Sequence, residues 1–502
     1  MIDKKNTITI NILLHCLCVL IAIFFIVIYF FIVYKRIDYP FDLEWIEGGM
    51  VEVVNRVVEG KSIYVSPSIE YVPFLYPPVF FYLSALVAKV IGTGYLPLRV
   101  VSFVASVLSF YVIYLIVFNK TKTHWVSILA VGMFAATYDI SGNWLDIGRV
   151  DSLFLFFILV TIYFVINVRN SIQSVLIGIC FSLSILTKQT GLVIVIPLLI
   201  LLLVKNWRYA LISFISGMTI ILISTIIFEQ STDGWYTFYV CKLLFSQTEW
   251  IKDSLLGFWF TDLIVPLPIF TIVTFYLFTY FWRVDKLEFL QWILIVGGVL
   301  LGAFFTRAKI GGYNNVLLPL YAILSVTFGI GFNKIADNYF AGRNEHLKYK
   351  QTSLYLLCIL QFVLLFYNPT NQIPSTTDFN RNYQLLEKIY KVKGEVYLPE
   401  YGYIAAQAGK NTYAHQSAIW DILRGNRNDG EKAVLIDNMH DAISNQIFDL
   451  IMLDPTWNYC CSNIDEYYAK KGKMFSDANM VFPVTGWQRK SNNLYYAKRL
   501  NN

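Results

Sequence analysis

The chain has 502 residues, of which 56% are hydrophobic and only 15% charged, and its mean hydropathy is +0.54. Soluble domains carry about 25% charged residues, so a soluble globular fold is excluded. A net charge of +6 over this length argues against a nucleic-acid surface and points to basic loops flanking membrane spans. Seven scattered cysteines form neither a zinc spacing nor a disulfide framework, and only the vicinal pair Cys460–Cys461 suggests redox chemistry.

A membrane span needs roughly 20 mostly apolar residues. On that ruler, spans are expected at 10–34, 97–118, 125–141, 152–168, 172–187, 190–204, 209–229, 259–281, 289–306, 315–333 and 352–367. The first is read as a retained helix, because it lacks a small-residue cleavage site. The apolar piece 79–92, opened by Pro77-Pro78, is too short to span and reads as interfacial or re-entrant. Loop charge supports that choice. With 79–92 outside the count, Lys120, Lys122, Arg169, Lys205, Arg208, Arg283 and Lys286 fall in the cytoplasm, as the positive-inside rule requires.

The expected fold is therefore a membrane all-α bundle of about 11 spans, occupying 1–368, with 35–96 as its first extracytoplasmic loop. Residues 369–502 turn polar and contain strand-like runs at 394–398 and 448–454. They are expected to form a small C-terminal extracytoplasmic α/β domain.

Ionisable residues at the ends of membrane helices are costly and pair, line a wet cavity or carry function. Here they gather on the outer face. Asp42, Glu44 and Glu47 lie within six positions directly after the first span. Glycosyl transfer needs a carboxylate of this kind to take the acceptor's proton, although a solvated acidic loop reads the same way. Asp146, Arg149 and Asp151 cluster before the fourth span; the plainer role for Asp151 is a helix cap. Lys188 interrupts two apolar blocks, where a lysine can simply snorkel. Arg307 and Lys309 precede Gly311-Gly312, and Asn314-Asn315 open the next helix. That arrangement suits an anion such as a lipid phosphate, and also suits a pair of interface anchors.

Together the residues resemble the GT-C glycosyltransferases, in the branch of the protein O-mannosyltransferases and aminoarabinose transferases. The likeness spans roughly 38–320. It rests on the first-loop acids, Tyr76-Pro77-Pro78 with the aromatic run after it, Leu98-Arg99, Arg149-Val150-Asp151 and Leu186-Thr187-Lys188-Gln189-Thr190-Gly191. It implies a polyprenyl-phosphate sugar donor, an inverting single displacement, and a cell-envelope glycan, lipid or protein as acceptor. By this likeness Asp42 is the base with Glu44 or Glu47 assisting, and Asp151 is the acid of the second outer loop. Arg149, Lys188, Arg307 and Lys309 are the donor-phosphate candidates. Leu43 separates Asp42 from Glu44 where family members often have adjacent acids, so the likeness does not fix which acid is the base. It leaves a divalent cation open as cofactor. The expected setting is a bacterial inner membrane with the site facing outward. The competing readings are an O-antigen polymerase or ligase, whose large loop usually lies between late spans, and a secondary transporter. Transporters often carry internal repeats, and none is visible.

Overall fold

The computed structural model describes residues 4–247, 250–340, 345–424, 430–454, 463–475, 485–486 and 493–498. Cys460 and Cys461 lie outside the described residues. Cys16, Cys18, Cys180, Cys241 and Cys358 are free thiols.

Every expected apolar block is helical. Among the described residues, five helices or helical stretches are long and apolar enough to cross a membrane by themselves: Thr9–Arg36, Tyr95–Thr121, Trp207–Ser231, Lys286–Arg307 and Asn314–Asp337. Shorter apolar helices fill four further blocks at His124–Ala136, Asp151–Asn167, Ser171–Ile185 and Gly191–Lys205. Two blocks are not straight. The one expected at 259–281 is broken between Leu255–Ile264 and Pro268–Val284 by a bend of 92°. Its cause is Pro266 and Pro268, which remove two backbone donors, and Leu267 between them leaves helical geometry with φ −127° and ψ 45°. The last block bends by 45° between Lys350–Leu364 and Pro369–Lys391, again with a proline at the joint.

The short piece forms the helix Val79–Ile91. It starts after Pro78 and ends at Gly92 and Gly94, whose φ of 93° and 127° only glycine adopts cheaply. It packs between the helix Glu47–Val58 and the span Tyr95–Thr121.

After residue 395 the chain forms a four-stranded sheet. Its strands are β1 (Val396–Tyr397), β2 (Leu450–Leu453), β3 (Tyr468–Lys473) and β4 (Asn493–Ala497), in spatial order β1-β2-β4-β3. β1 and β2 are parallel and the other pairings antiparallel. The first two strands fall inside the runs that the sequence marked as strand-like.

This polar segment shares its hydrophobic interior with the first loop. Trp45, Met50, Val51 and Phe74 belong to the same core as Tyr397, Ile419 and Phe448, and Phe41 packs with Leu385, Ile404 and Leu450. Backbone and side-chain bonds tie the two together: Ala414 N–H donates to the Ile69 carbonyl at 2.8 Å, and Ile69 N–H donates to Asn438 Oδ1 at 2.6 Å. His415 Nδ1 accepts from Ser417 N–H, so its Nε2–H donates to the Trp45 carbonyl at 3.2 Å. The acidic loop is thus held as a packed layer between the bundle and the sheet.

Candidate active site

The three first-loop acids are all buried but differ in how their oxygens are used. Glu47 opens the helix Glu47–Val58, where a carboxylate complements the helix dipole. It takes a two-pronged ion pair from Arg99, Nε to Oε1 at 2.9 Å and Nη2 to Oε2 at 2.7 Å. It also accepts from the Leu43 N–H at 2.8 Å and the Gly148 N–H at 2.7 Å. Burial pushes its pKa up, but the Arg99 guanidinium and the two amides more than offset that and leave it below the usual glutamate value. Arg99 also donates to the carbonyls of Tyr39 and Phe41 at 2.5 and 2.7 Å. This pair shapes the loop.

Glu44 is fully buried. Its Oε2 receives Arg149 Nη1 at 2.6 Å and the Ile46 N–H at 3.0 Å. A short backbone bridge joins Glu44 to Thr485, whose N–H donates to the Leu43 carbonyl at 3.1 Å. Asp42 has a different surrounding. Its Oδ1 accepts from the Tyr95 hydroxyl at 2.8 Å, and it keeps 8% of its surface accessible where Glu44 and Glu47 keep none.

The loop between His124–Ala136 and Asp151–Asn167 supplies the second group. Arg36 locks it from the end of the first span, pairing with Asp146 through two bonds of 2.6 Å and donating to the Asn143 carbonyl at 2.7 Å. Beyond that lock, Arg149 reaches Glu44 and donates to the Tyr76 hydroxyl at 2.8 Å. Asp151 Oδ1 accepts from Lys188 Nζ at 2.6 Å and from Asn315 at 2.9 Å. Asp151 does sit in the first turn of its helix, but no side-chain cap bond is made there.

A third group lies where the loop after Lys286–Arg307 meets the helix Gln416–Leu423. Arg307 is committed to Asp262 at 2.8 Å and to the Gly312 carbonyl at 2.6 Å. Among the described residues no carboxylate pairs with Lys309. Burial and the neighbouring Arg424 charge lower the Lys309 pKa. Lys309, Ile310, Gln247 and Arg424 line one small pocket. Arg424 is anchored on Asp421 and Gln247, each at 2.6 Å, and Asp421 in turn feels the Arg149 charge. The second and third groups are therefore electrostatic neighbours.

Four buried polar atoms in this region have no hydrogen-bond partner among the described residues: Glu44 Oε1, Arg149 Nε, Asp151 Oδ2 and Arg424 Nε. Each such atom costs about 1–3 kcal/mol. Folded proteins keep few of them.

Burial raises the Glu44 carboxyl to about 7 against the opposing Arg149 charge. Its ordinary value is 4.5, so folding takes up a proton between the two values. The stability it contributes is full at low pH and is lost as pH rises through about 7. Glu44→Gln should therefore show a smaller fall in thermal midpoint than the wild type between about pH 5 and about pH 8. Parallel curves for the two proteins would remove Glu44 as the titrating group.

The structure thus brings Asp42, Glu44 and Glu47 into one layer, links Glu44 to Arg149, and joins Asp151 to Lys188. It places Lys309 beside Arg424 and turns Arg307 toward Asp262. Sequence reasoning did not single out Tyr95, Asp262, Arg424 or Glu52. Glu52 and Asp262 carried a local signal, the first being a carboxylate inside Met50-Val51-Glu52-Val53-Val54 and the second a carboxylate inside the span expected at 259–281. No three His, Cys, Asp or Glu side chains among the described residues are grouped to hold a metal.

Residues 76–230, which include Tyr76, Arg149, Asp151 and Lys188, match the family described as dolichyl-phosphate-mannose-protein mannosyltransferase. The chain superposes on ArnT from Cupriavidus metallidurans bound to undecaprenyl phosphate, with a TM-score of 0.60. The chain has the GT-C glycosyltransferase fold. The two share 11% identity, and the match covers 94% of this chain and 97% of ArnT. The apo state of ArnT matches with a TM-score of 0.57 at the same identity. No curated protein matches the chain significantly. The GT-C fold and the apolar helices make this an integral, multi-pass membrane protein. The resemblance read from the short sequence motifs is borne out by both comparisons.

Proposed function

We propose that the chain is an inverting glycosyltransferase that moves a sugar from a polyprenyl phosphate to a cell-envelope glycan, lipid or protein. The observation that carries this is the grouping of unpartnered atoms on Glu44, Arg149, Asp151 and Arg424 beside Lys309. A buried set of cations and carboxylates with spare bonding capacity suits a sugar phosphate, which is anionic at one end and rich in hydroxyls at the other. ArnT, which shares the fold, binds undecaprenyl phosphate, and this supports the same lipid class here.

In this reading Asp42 removes the proton from the acceptor hydroxyl as its oxygen attacks the sugar's anomeric carbon. The bond from that carbon to the phosphate oxygen breaks, and the electron pair leaves with the polyprenyl phosphate. Lys309, Arg149 and Lys188 hold the charge that develops on the leaving group. One displacement from the opposite face inverts the anomeric centre. Glu47 shapes the loop that carries Asp42, and Arg307 shapes the loop that carries Lys309. The apolar helices form an eleven-span bundle in the bacterial inner membrane. The first loop and the C-terminal sheet lie together outside the cytoplasm.

Lys309 is half-buried and its removal leaves no buried acid uncompensated, so Lys309→Ala should fold normally. Loss of one charge-assisted hydrogen bond is worth about 1.5–3 kcal/mol, which raises the KM for a polyprenyl-phosphate hexose about ten- to a hundredfold. An unchanged donor KM with intact thermal stability would take Lys309 out of the phosphate site.

A further inference from the structure

A second cavity borders the first loop. It is an open cleft of about 460 Å³ between the helix Glu47–Val58 and the 406–413 segment of the C-terminal region, a size that suits a small organic ligand. Its position relative to Asp42 is set by one helix face. Residues 48, 52, 55, 56 and 59 follow helical spacing along that face. At its start, a side chain on Gly48 would stand 2.8 Å from Asp42 Oδ1. At its far end Glu59 lines the cleft, about 16 Å along the axis. The cleft therefore runs away from Asp42 along the helix.

Its lining is polar in a particular way. The cations are occupied: Arg56 donates twice to the Ser62 carbonyl, at 3.0 and 2.8 Å, while lying 4.1 Å over the Tyr71 ring. Lys61 pairs with Glu59 at 2.7 Å, and Lys410 donates to the Val392 carbonyl at 2.5 Å. Two buried oxygens of the lining are left without a partner among the described residues. Glu52 lines the cleft, is 91% buried, and its Oε1 has no partner among the described residues; Asn55 Oδ1 is in the same state. A side chain on Gly402 would collide with the Glu52 carboxyl, so the backbone there comes close enough to fix it. Burial, reinforced by Asp42, raises the Glu52 pKa well above the ordinary value. The apolar part of the lining is Ala406 with the rings of Tyr71 and Tyr413. Among the described residues no branched aliphatic side chain lines it, and a lipid chain or a protein anchor residue would require an apolar pocket of that kind.

We propose that this cleft is the acceptor site and that it takes a short glycan of neutral or amino sugars, with the attacking hydroxyl delivered to Asp42. Side-chain amide and carboxyl groups bond to hydroxyls and amines, tyrosines offer ring faces with a polar tip, and the unsatisfied acceptors disfavour phosphate or carboxylate substituents. This assignment rests on the transferase reading for its purpose, but the cleft's ligand can be tested without the donor.

The experiment is binding of the purified full chain, in lipid nanodiscs, to an immobilised panel of short linear oligosaccharides. The panel includes neutral, amino-bearing and anionic members. Neutral or amino-bearing members should be retained. Ala406→Trp, which fills the cleft, should weaken that binding about tenfold or more, and Glu70→Ala, at an exposed rim position, should weaken it severalfold. Retention of anionic members alone, no retention of any member, or wild-type binding by Ala406→Trp overturns the assignment. Cleft binding by a chain that leaves a polyprenyl-phosphate hexose intact would contradict the transferase reading and not the glycan site.

Discussion

Asp42→Asn should lower turnover about 10²–10⁴-fold, the usual contribution of a positioned general base, while the protein remains folded. The substitution is nearly isosteric, and the Tyr95 hydroxyl can still donate to the carboxamide oxygen where it now donates to Oδ1 at 2.8 Å. What is lost is the ability to accept a proton. Asp42 is the favoured base among the three acids because of access. It retains 8% of its surface, while Glu44 and Glu47 retain none. Steady-state rates with a saturating lipid-phosphate sugar, alongside thermal unfolding of the same preparations, check this. Wild-type turnover in the variant would move the base to another acid.

Glu47→Ala should do the reverse, destabilising the protein by about 3–5 kcal/mol, as breaking a buried ion pair does. The change strands the fully buried Arg99 guanidinium and removes the acceptor for two backbone amides, Leu43 and Gly148. Those amides belong to the two loops that carry Asp42 and Arg149, so the loops lose their common anchor. A sharply lowered thermal midpoint, with poor recovery from the membrane, is the expected result. Normal stability with lost turnover would instead place Glu47 in the chemistry.

Much of the membrane part was legible because a span is a length requirement, and length and apolarity are local properties of sequence. The bend at Pro266 and Pro268 was missed, because a hydropathy ruler passes over prolines inside an apolar block. The strands β1 and β2 fell inside apolar runs closed by turn residues. The outer acids and cations stood out because charge beside an apolar block is expensive.

How they are joined was not legible. Arg36 finds Asp146 across 110 positions and Arg149 finds Glu44 across 105. Sequence tells only that such charges must be compensated, never by which partner. The same limit hid the difference between Glu47, whose oxygens are consumed by Arg99 and two amides, and Asp42, one turn of chain away. Arg307 and Lys309 look equivalent in sequence. Asp262 claims the first from a different helix, while Arg424, contributed by the C-terminal region, sits beside the second. Glu52 offered a readable missed signal, a carboxylate set in sequence among Met50, Val51, Val53 and Val54.

The most direct test of the account is single-turnover consumption of a radiolabelled polyprenyl-phosphate hexose by the purified protein in nanodiscs, wild type against Asp42→Asn. The account predicts that wild type strips the label from the lipid and that the variant leaves it there. Label retained on the lipid by wild type across several donor sugars would contradict it.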